Sequence, residues 1–231
     1  MICYVLLYQR DELIQQNGME VKLRIEETSG EPCLVLHYLD FGPDVVRDLP
    51  ITAVLYSGFG RPYAGYDVKT FLPVAEVIKE VDVPQMGFCA GHQLIGFAYN
   101  RDLRRVKRLY DEPMRRLRRG EPDWYPEYHP GYYKERGFHP VEVVRKDPLF
   151  AGLGRKPILP QAHFAEVKRI PPGFVLLAGT KECRVQAMRH RSRPLYGTQF
   201  HPEKYSKQYP DGKRVLQNFF RLARTHCRNR R

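Results

Sequence analysis

The stretch Val83-Pro-Gln-Met-Gly-Phe-Cys89-Ala-Gly-His-Gln-Leu-Ile-Gly-Phe-Ala-Tyr99 narrows the choice of fold more than any other part of the chain. It reads as a short strand, a sharp turn at Cys89 and a helix. The Gly-x-Cys-x-Gly core, Gly87, Cys89 and Gly91, is the thiol version of a nucleophile elbow. Such a turn needs small residues on both sides, because strand and helix backbones approach closely where the nucleophile is pushed up. The sulfur then sits at a helix N-terminus, where unpaired N–H groups and the macrodipole favour an anion. The thiolate is the reactive form of cysteine, so this placement suits a nucleophile. A buried structural cysteine beside two turn glycines gives the same pattern, and other residues have to decide between the two.

At 231 residues the chain is long enough for one large domain and short for two. No run approaches the 18 or so apolar residues that span a bilayer, so no membrane is expected as a partner. The first residues, Met-Ile-Cys-Tyr-Val-Leu-Leu-Tyr, lack a basic region and a small-residue cleavage site, which argues against a signal peptide. Five cysteines, none in a C-x-x-C spacing, argue against a disulfide framework and a zinc site. The expected compartment is the reducing cytoplasm. The net charge of +12 is concentrated in two places. Residues 101–119 hold nine basic and three acidic side chains, and residues 221–231 hold five arginines and no acid, so together they carry 11 of the 12 units. Such runs read first as solvated surface, and nucleic acid is not the expected partner.

Along the chain, residues 2–8 read as a buried strand, and residues 11–29 as a helix bent near Gly18. Strands follow at 34–37 and 51–56, with a short helix at 43–48 between them. The second strand runs into the small-residue loop Ser57-Gly-Phe-Gly-Arg-Pro62, and a helical face covers 71–80. This alternation is that of an α/β sheet with mostly parallel strands. Ligands bind such sheets outside the carboxyl ends of the strands, so the Ser57 loop and Cys89 are expected to face one crevice. Residues 101–136 read as an insertion, a helix over 101–118 and then an ordered loop rich in Pro, Tyr and Trp. A strand at 141–144, a turn-helix piece at 147–153 and a meander of three strands at 174–178, 185–188 and 195–200 follow. An amphipathic helix over 213–223 and a frayed basic tail at 224–231 close one domain spanning residues 1–231.

The strand at 195–200 ends in Gln199-Phe-His-Pro-Glu203. Side chains two apart on an extended segment point the same way, so Glu203 can orient the imidazole of His201. That is the base and orienter of a nucleophilic triad, with Cys89 as nucleophile. The N–H of Ala90 and an N–H of the 57–60 loop are the natural donors to an oxyanion.

Three pieces, Met86-Gly-Phe-Cys-Ala-Gly-His-Gln-Leu-Ile-Gly96, Tyr196-Gly-Thr-Gln-Phe-His-Pro-Glu203 and Leu55-Tyr-Ser-Gly-Phe-Gly60, resemble class I, triad-type glutamine amidotransferases. The resemblance spans residues 50–100 and 137–220. It implies a three-layer, flavodoxin-like α/β fold, with a mostly parallel central sheet between helices and a small antiparallel meander in the C-terminal third. It also implies that Cys89 attacks the side-chain amide of glutamine to give a γ-glutamyl thioester and ammonia, without cofactor or metal. His201 would shuttle the proton and Glu203 would orient it. Gln93 would help hold the substrate, and Gly58 and Phe59 fall in the oxyanion and substrate loop. Phe59 stands where the family usually has a small residue, and the 101–136 segment is longer and more basic than the usual connection.

Family members generally pass ammonia to a synthase or ligase domain or subunit, and no such domain is evident in these residues. A stand-alone γ-glutamyl hydrolase acting on γ-glutamyl peptides is the alternative, a non-catalytic binding module a further one, and a homo-oligomer is compatible with either. His163 falls in a family stretch of substrate-facing and partner-facing residues, although a surface or turn histidine is the simpler expectation. His92 is expected to pack or cap on the elbow helix. Cys3, Cys33 and Cys183 read as small buried hydrophobes. The aromatic loop at 124–133 suits a lid or a partner surface.

Overall fold

The computed structural model describes residues 1–15 and 18–229. In chain order the elements are β1 (Ile2–Leu6), α1 (Gly18–Ser29), β2 (Cys33–His37), α2 (Pro43–Asp48), β3 (Ala53–Tyr56), α3 (Leu72–Glu80), β4 (Gln85–Phe88) and α4 (Ala90–Asn100). After the long excursion come β5 (Glu135–Pro140), β6 (Glu142–Val143), β7 (Ile158–His163), β8 (Phe174–Gly179), β9 (Ala187–His190), β10 (Leu195–Thr198) and α5 (Asp211–Asn229). Eight strands form one sheet in the order β2-β1-β3-β4-β10-β9-β8-β6. The pairs from β2 to β10 are parallel, and β10, β9, β8 and β6 are joined antiparallel. The expected meander is the run β8-β9-β10.

Side chains alternate across each strand. Cys3, Val5, Val54 and Tyr56 face one side, packed with Val74, Val77 and Ile78 of α3 and Leu94 and Ile95 of α4. Ile2, Tyr4, Ala53 and Leu55 face the other, packed with Ile25 of α1 and Val215, Leu216, Phe219 and Phe220 of α5. Both faces of the parallel strands are therefore covered. That is why they read as continuous apolar runs rather than as alternating ones. The helix expected over 11–29 is a 3-10 turn at Arg10–Gln15 and then α1 from Gly18, and residues 16–17, where the expected bend would fall, lie outside the described residues. Among the described residues no helix is long and apolar enough to cross a membrane.

Two expectations about the basic segments are overturned. Residues 101–118 form no α-helix: beyond a 3-10 turn at Leu103–Arg105 the chain is irregular. Pro113 removes a helical donor, and the basic side chains would repel one another at i,i+3 and i,i+4 spacing. The segment is instead pinned by its charges. Arg115 makes a two-pronged bond to Glu121 at 2.6 and 2.7 Å, pairs with Glu182, and stacks its guanidinium 4.3 Å from the Tyr133 ring. Asp123 accepts the Gly131 N–H at 2.7 Å and pairs with the buried Lys134. The loop after it is ordered, as expected. At the C-terminus the helix continues through Asn229 instead of fraying after 223. Arg224 donates to the Ser29 carbonyl at 3.0 Å and Cys227 to the Thr52 carbonyl at 3.5 Å, which fastens the last turns to the body. Residues 230–231 of the expected tail lie outside the described residues.

A second, two-stranded sheet pairs β5 with β7 antiparallel, setting Glu135 opposite His163 and Gly137 opposite Gln161. Neither strand was expected from the sequence. Pro140 ends β5 and Pro160 interrupts β7, and proline inside a strand is tolerated only at an edge.

Candidate active site

Three neighbouring parallel strands, β3, β4 and β10, end at one place. In register, Tyr56 lies beside Gly87, and Thr198 lies beside Phe88. The residues that follow them, Ser57-Gly58, Cys89 and Gln199-Phe200-His201, are therefore neighbours at the carboxyl edge of the sheet. Cys89 N–H donates to the Thr198 carbonyl at 2.8 Å, and Gly91 N–H to the Ser57 carbonyl at 3.0 Å. These two bonds tie the elbow to the strand on either side.

The turn itself is strained. Cys89 has φ 48° and ψ −102°, a conformation that L residues rarely adopt. Its neighbours show why glycine is required beside it. A Cβ on Gly87 would lie 2.4 Å from the Gly91 carbonyl carbon, and one on Gly91 would lie 2.6 Å from the Tyr56 carbonyl oxygen. Backbone conformations of this kind cost about 1–3 kcal/mol and persist at sites that need them. A Cys89→Gly variant is accordingly expected to be more stable than Cys89→Ala by about 1 kcal/mol, the reverse of the usual order for these two residues. Urea midpoints at equal m-values measure the difference, and a more stable alanine variant would show that the turn is not strained.

His201 and Glu203 are both buried, and Nδ1 of the imidazole lies 2.6 Å from Glu203 Oε1. The backbone N–H of His201 donates to the Pro160 carbonyl at 2.9 Å, so β7 braces His201. Burial by itself would depress the imidazole. The Glu203 carboxylate, helped by the charge and hydrogen bond of Cys89, overrides it and holds His201 up at about 9. For Glu203, burial acts upward, and the charge and hydrogen bond of His201 more than reverse it, so its carboxyl is held below the ordinary carboxylate range. Gly58 closes the group: a Cβ there would meet His201 Cε1 at 2.8 Å and Cys89 Cβ at 3.2 Å. Cys89, His201 and the 57–60 loop thus close around Gly58 so tightly that a side chain there would have to displace them.

The loop also answers the question that Phe59 raises. Its ring turns into an aromatic cluster, 4.6 Å from Tyr63 and 4.9 Å from Tyr66 between centroids, and leaves the backbone free of side-chain bulk. The Ser57 hydroxyl donates to the Gly58 carbonyl at 2.8 Å. In a trans peptide the N–H points opposite to the C=O, so the Phe59 N–H is turned away from Ser57. Ala90 is the first residue of α4, where an N–H has no carbonyl four residues back within its own helix. Gln93 is buried one turn further on, and its amide nitrogen donates to the Ala165 carbonyl at 3.1 Å.

A glutamine amidotransferase class-I family model matches residues 43–223, a span that holds the whole of this arrangement. The chain belongs to that family. Among curated relatives, a glutamine-hydrolyzing GMP synthase subunit of Methanosarcina mazei is 33% identical over 215 residues, covering 88% of this chain and 97% of the relative. The corresponding GMP synthase subunit of Archaeoglobus fulgidus is 33% identical over 147 residues, covering 64% of this chain and 66% of the relative. Among solved structures, a Thermoplasma acidophilum protein described as a GMP synthase subunit superposes with a TM-score of 0.70 at 20% identity, over 100% of this chain and 98% of that one. A glutamine amidotransferase of Thermotoga maritima gives 0.60 at 14% identity, over 100% of this chain and 85% of that one. These structures share the fold. The chain is therefore an enzyme of the class I glutamine amidotransferase kind.

Beside Cys89 of this amidotransferase-family chain runs a buried polar path that sequence reasoning missed. Cys89 Sγ lies 3.6 Å from Gln199 Nε2 and 3.8 Å from the Ala162 carbonyl. Gln199 N–H donates to the Gln186 carbonyl at 2.8 Å, Gln186 Nε2 to Glu135 Oε2 at 2.9 Å, and the same Oε2 lies 3.0 Å from His163 Nε2. His163 is 1% exposed, which overturns the surface or turn reading. Its strand was hidden by Pro160, and its partner Glu135 sits in a segment without apolar periodicity. His92 packs as expected, filling the space that Gly197 leaves, where a Cβ would lie 2.4 Å from His92 Nδ1. Burial, with the neighbouring His163, pushes His92 down to about 3, so it stays neutral. A cavity of about 580 Å³ elsewhere, around Asp147, Leu153 and Arg155, shares no residue with this site.

Proposed function

We propose that the chain hydrolyses the side-chain amide of glutamine through a γ-glutamyl thioester on Cys89 and passes the ammonia to a separate synthase subunit. The observation that carries this reading is the meeting of Cys89, His201 and Glu203 at the ends of two paired parallel strands, with the imidazole and carboxylate buried together. In the proposed sequence the Cys89 thiolate attacks the amide carbon, and the carbonyl electron pair moves onto oxygen. The N–H groups of Ala90 and Phe59 receive that oxyanion. His201, held protonated at neutral pH, donates to the leaving nitrogen. The C–N bond then breaks, ammonia departs, and the γ-glutamyl thioester remains.

Water attacks next, and His201, now neutral, takes its proton. Collapse of the second tetrahedral species breaks the C–S bond and releases glutamate. Glutamine and water have become glutamate and ammonia, and the thiolate is restored. Glu203 keeps the ring in one orientation and stabilises its charged form throughout. Gln93, anchored to the Ala165 backbone, forms one side of the crevice at Cys89 and would help hold the substrate.

The partner half of the reading is supported by the relatives, which are glutamine-hydrolyzing subunits of GMP synthases. The test has two parts. The isolated chain should release glutamate and ammonia from glutamine, and glutamate release no higher than in buffer would overturn the hydrolytic assignment. Mixed with the synthase subunit of a GMP synthase, it should support glutamine-dependent amination. Glutamate without amination would overturn the partner and leave the hydrolysis standing.

A further inference from the structure

Glu203 reaches His201 through one of its two oxygens. Oε1 lies 2.6 Å from Nδ1, whereas Oε2 is buried and has no partner on another described residue. A carboxylate anchored at one point takes its direction from the main chain that carries it. That main chain is a single 3-10 turn, Pro202–Lys204, closed by the Lys204 N–H on the His201 carbonyl at 3.0 Å. Hydrogen bonds of this kind have poor geometry, so one turn is weakly held by its own bonds and is placed from outside.

The outside hold comes from α1. Arg24 Nη1 donates to the Glu203 carbonyl at 2.9 Å and to the Tyr205 carbonyl at 2.6 Å, across 179 and 181 residues of chain. Nη2 is fixed by Glu20 at 2.6 Å, one helical turn back, and the guanidinium lies 4.7 Å from the centre of the Tyr205 ring. Glu27, further along α1, accepts the Tyr205 hydroxyl at 2.6 Å and pairs with Lys213 of α5. The charges that act on the Glu203 carboxyl are those of His201 and Lys204. Arg24 therefore works on Glu203 through its main chain.

Resting on the glutaminase reading above, we propose that Arg24 is a positioning residue for the reaction. By gripping the main chain at Glu203 and Tyr205 from α1, it keeps the Glu203 carboxylate on His201 Nδ1. A displacement of about 1 Å would take that contact out of hydrogen-bond range. Burial lowers the imidazole and Glu203 overrides it, so a lost contact would leave His201 neutral near pH 7. Lys204 and Cys89 also act on His201, and Tyr4 of β1 and Tyr8 beyond its end act on Glu203. Burial first, and then the Glu203 charge, raise both phenols, so they stay neutral. A helix outside every motif of the sequence thus becomes part of the catalytic apparatus.

The test is a double-mutant cycle on glutamine hydrolysis, joined to a titration of His201 followed by imidazole nuclear magnetic resonance. Arg24→Met removes the donors and keeps an aliphatic stem over Tyr205. The arginine side chain is 27% exposed, so the variant should fold, and Arg24→Ala serves in its place if it does not. In the wild-type background the variant should lower kcat by roughly 10- to 100-fold with KM little changed, the scale of a misplacement of about 1 Å. In the Glu203→Gln background it should cost less than about twofold, because the carboxylate it places is gone. Equal losses in the two backgrounds would assign Arg24 a general structural role and overturn the proposal, as would no loss in the wild type. The His201 midpoint should fall by about one pH unit in Arg24→Met, and an unchanged midpoint overturns the proposal whether or not the chain hydrolyses glutamine. Arg24→Lys keeps a donor on the same helix face and should lie between the two on both readouts. A lysine variant no better than methionine would overturn the role of the two hydrogen bonds. A wild type that leaves glutamine intact, with the midpoint lowered in the variant, would overturn the glutaminase reading and leave the hold of Arg24 on the pair standing.

Discussion

Replacing Cys89 with alanine is expected to abolish glutamate release from glutamine, with kcat falling by about a million-fold, the scale seen when the nucleophile of a triad enzyme is removed. The fold should survive, because alanine fits any space the cysteine fills and the elbow is held by backbone bonds. Cys89 N–H to the Thr198 carbonyl and Gly91 N–H to the Ser57 carbonyl do not involve the sulfur. Unchanged far-UV circular dichroism with lost activity would assign the chemistry to Cys89. Activity within tenfold of the wild type would remove the thiol from the mechanism. Among the described residues Cys3, Cys33, Cys183 and Cys227 form no disulfide. Burial pushes Cys3 and Cys33 up to about 12 and raises Cys183 well above the ordinary thiol range, with nearby ionisable side chains adding to the rise, so none of these three substitutes as a nucleophile.

Glu203→Gln is the second large effect. The glutamine is nearly isosteric, but it cannot hold the imidazolium, and kcat should fall by about ten-thousand-fold, as for the orienting carboxylate of other triads. The same variant changes the pH dependence of stability in a direction that follows from the two shifts. His201 is raised, so its contribution is fully present below the unfolded value of 6.5 and is lost as pH rises through about 9. Glu203 is depressed, so its contribution is present above 4.5 and is lost as pH falls below that value. The stability gap between wild type and Glu203→Gln should therefore be widest between about pH 5 and 6.5 and narrow on both sides. Thermal midpoints across roughly pH 4–10 measure it, and a gap independent of pH would show that the buried pair is not ionised.

The parts of the site that were legible in the sequence are those carried by short stretches with local constraints. Gly87, Cys89 and Gly91 announce a strand meeting a helix head-on, because only glycine allows that approach. Gln199-Phe-His-Pro-Glu203 announces that His201 and Glu203 meet, because extended chain sets alternate side chains on one face. The sheet was legible where strands are buried on both sides. What was not legible depends on partners distant in sequence. His163 is buried because Glu135, itself held by Gln186, pairs with it, and neither residue carries a sign of that in its own neighbourhood. Pro140 and Pro160 disguised β5 and β7, which are stable because each covers the other's edge. The excursion after α4 failed as a helix for the opposite reason. Its charges are used on Glu121, Glu182 and two tyrosine rings, and such pairing leaves no period in the sequence.

The central place of β10 has a consequence for how such an enzyme comes into being. Gln199 and Cys89 meet across 110 residues of chain, and β10 enters between β4 and β9 rather than at a border of the sheet. During synthesis Cys89 leaves the ribosome long before His201, its proposed base, exists. Non-local strand pairings form late, because the intervening loop must first be closed. A nascent or truncated chain ending before Leu195 would carry the elbow without His201 and Glu203, and would be chemically silent. On the proposed mechanism the molecule becomes able to liberate ammonia only when β10 has been inserted, so that insertion works as the safety catch on a reaction with a diffusible product.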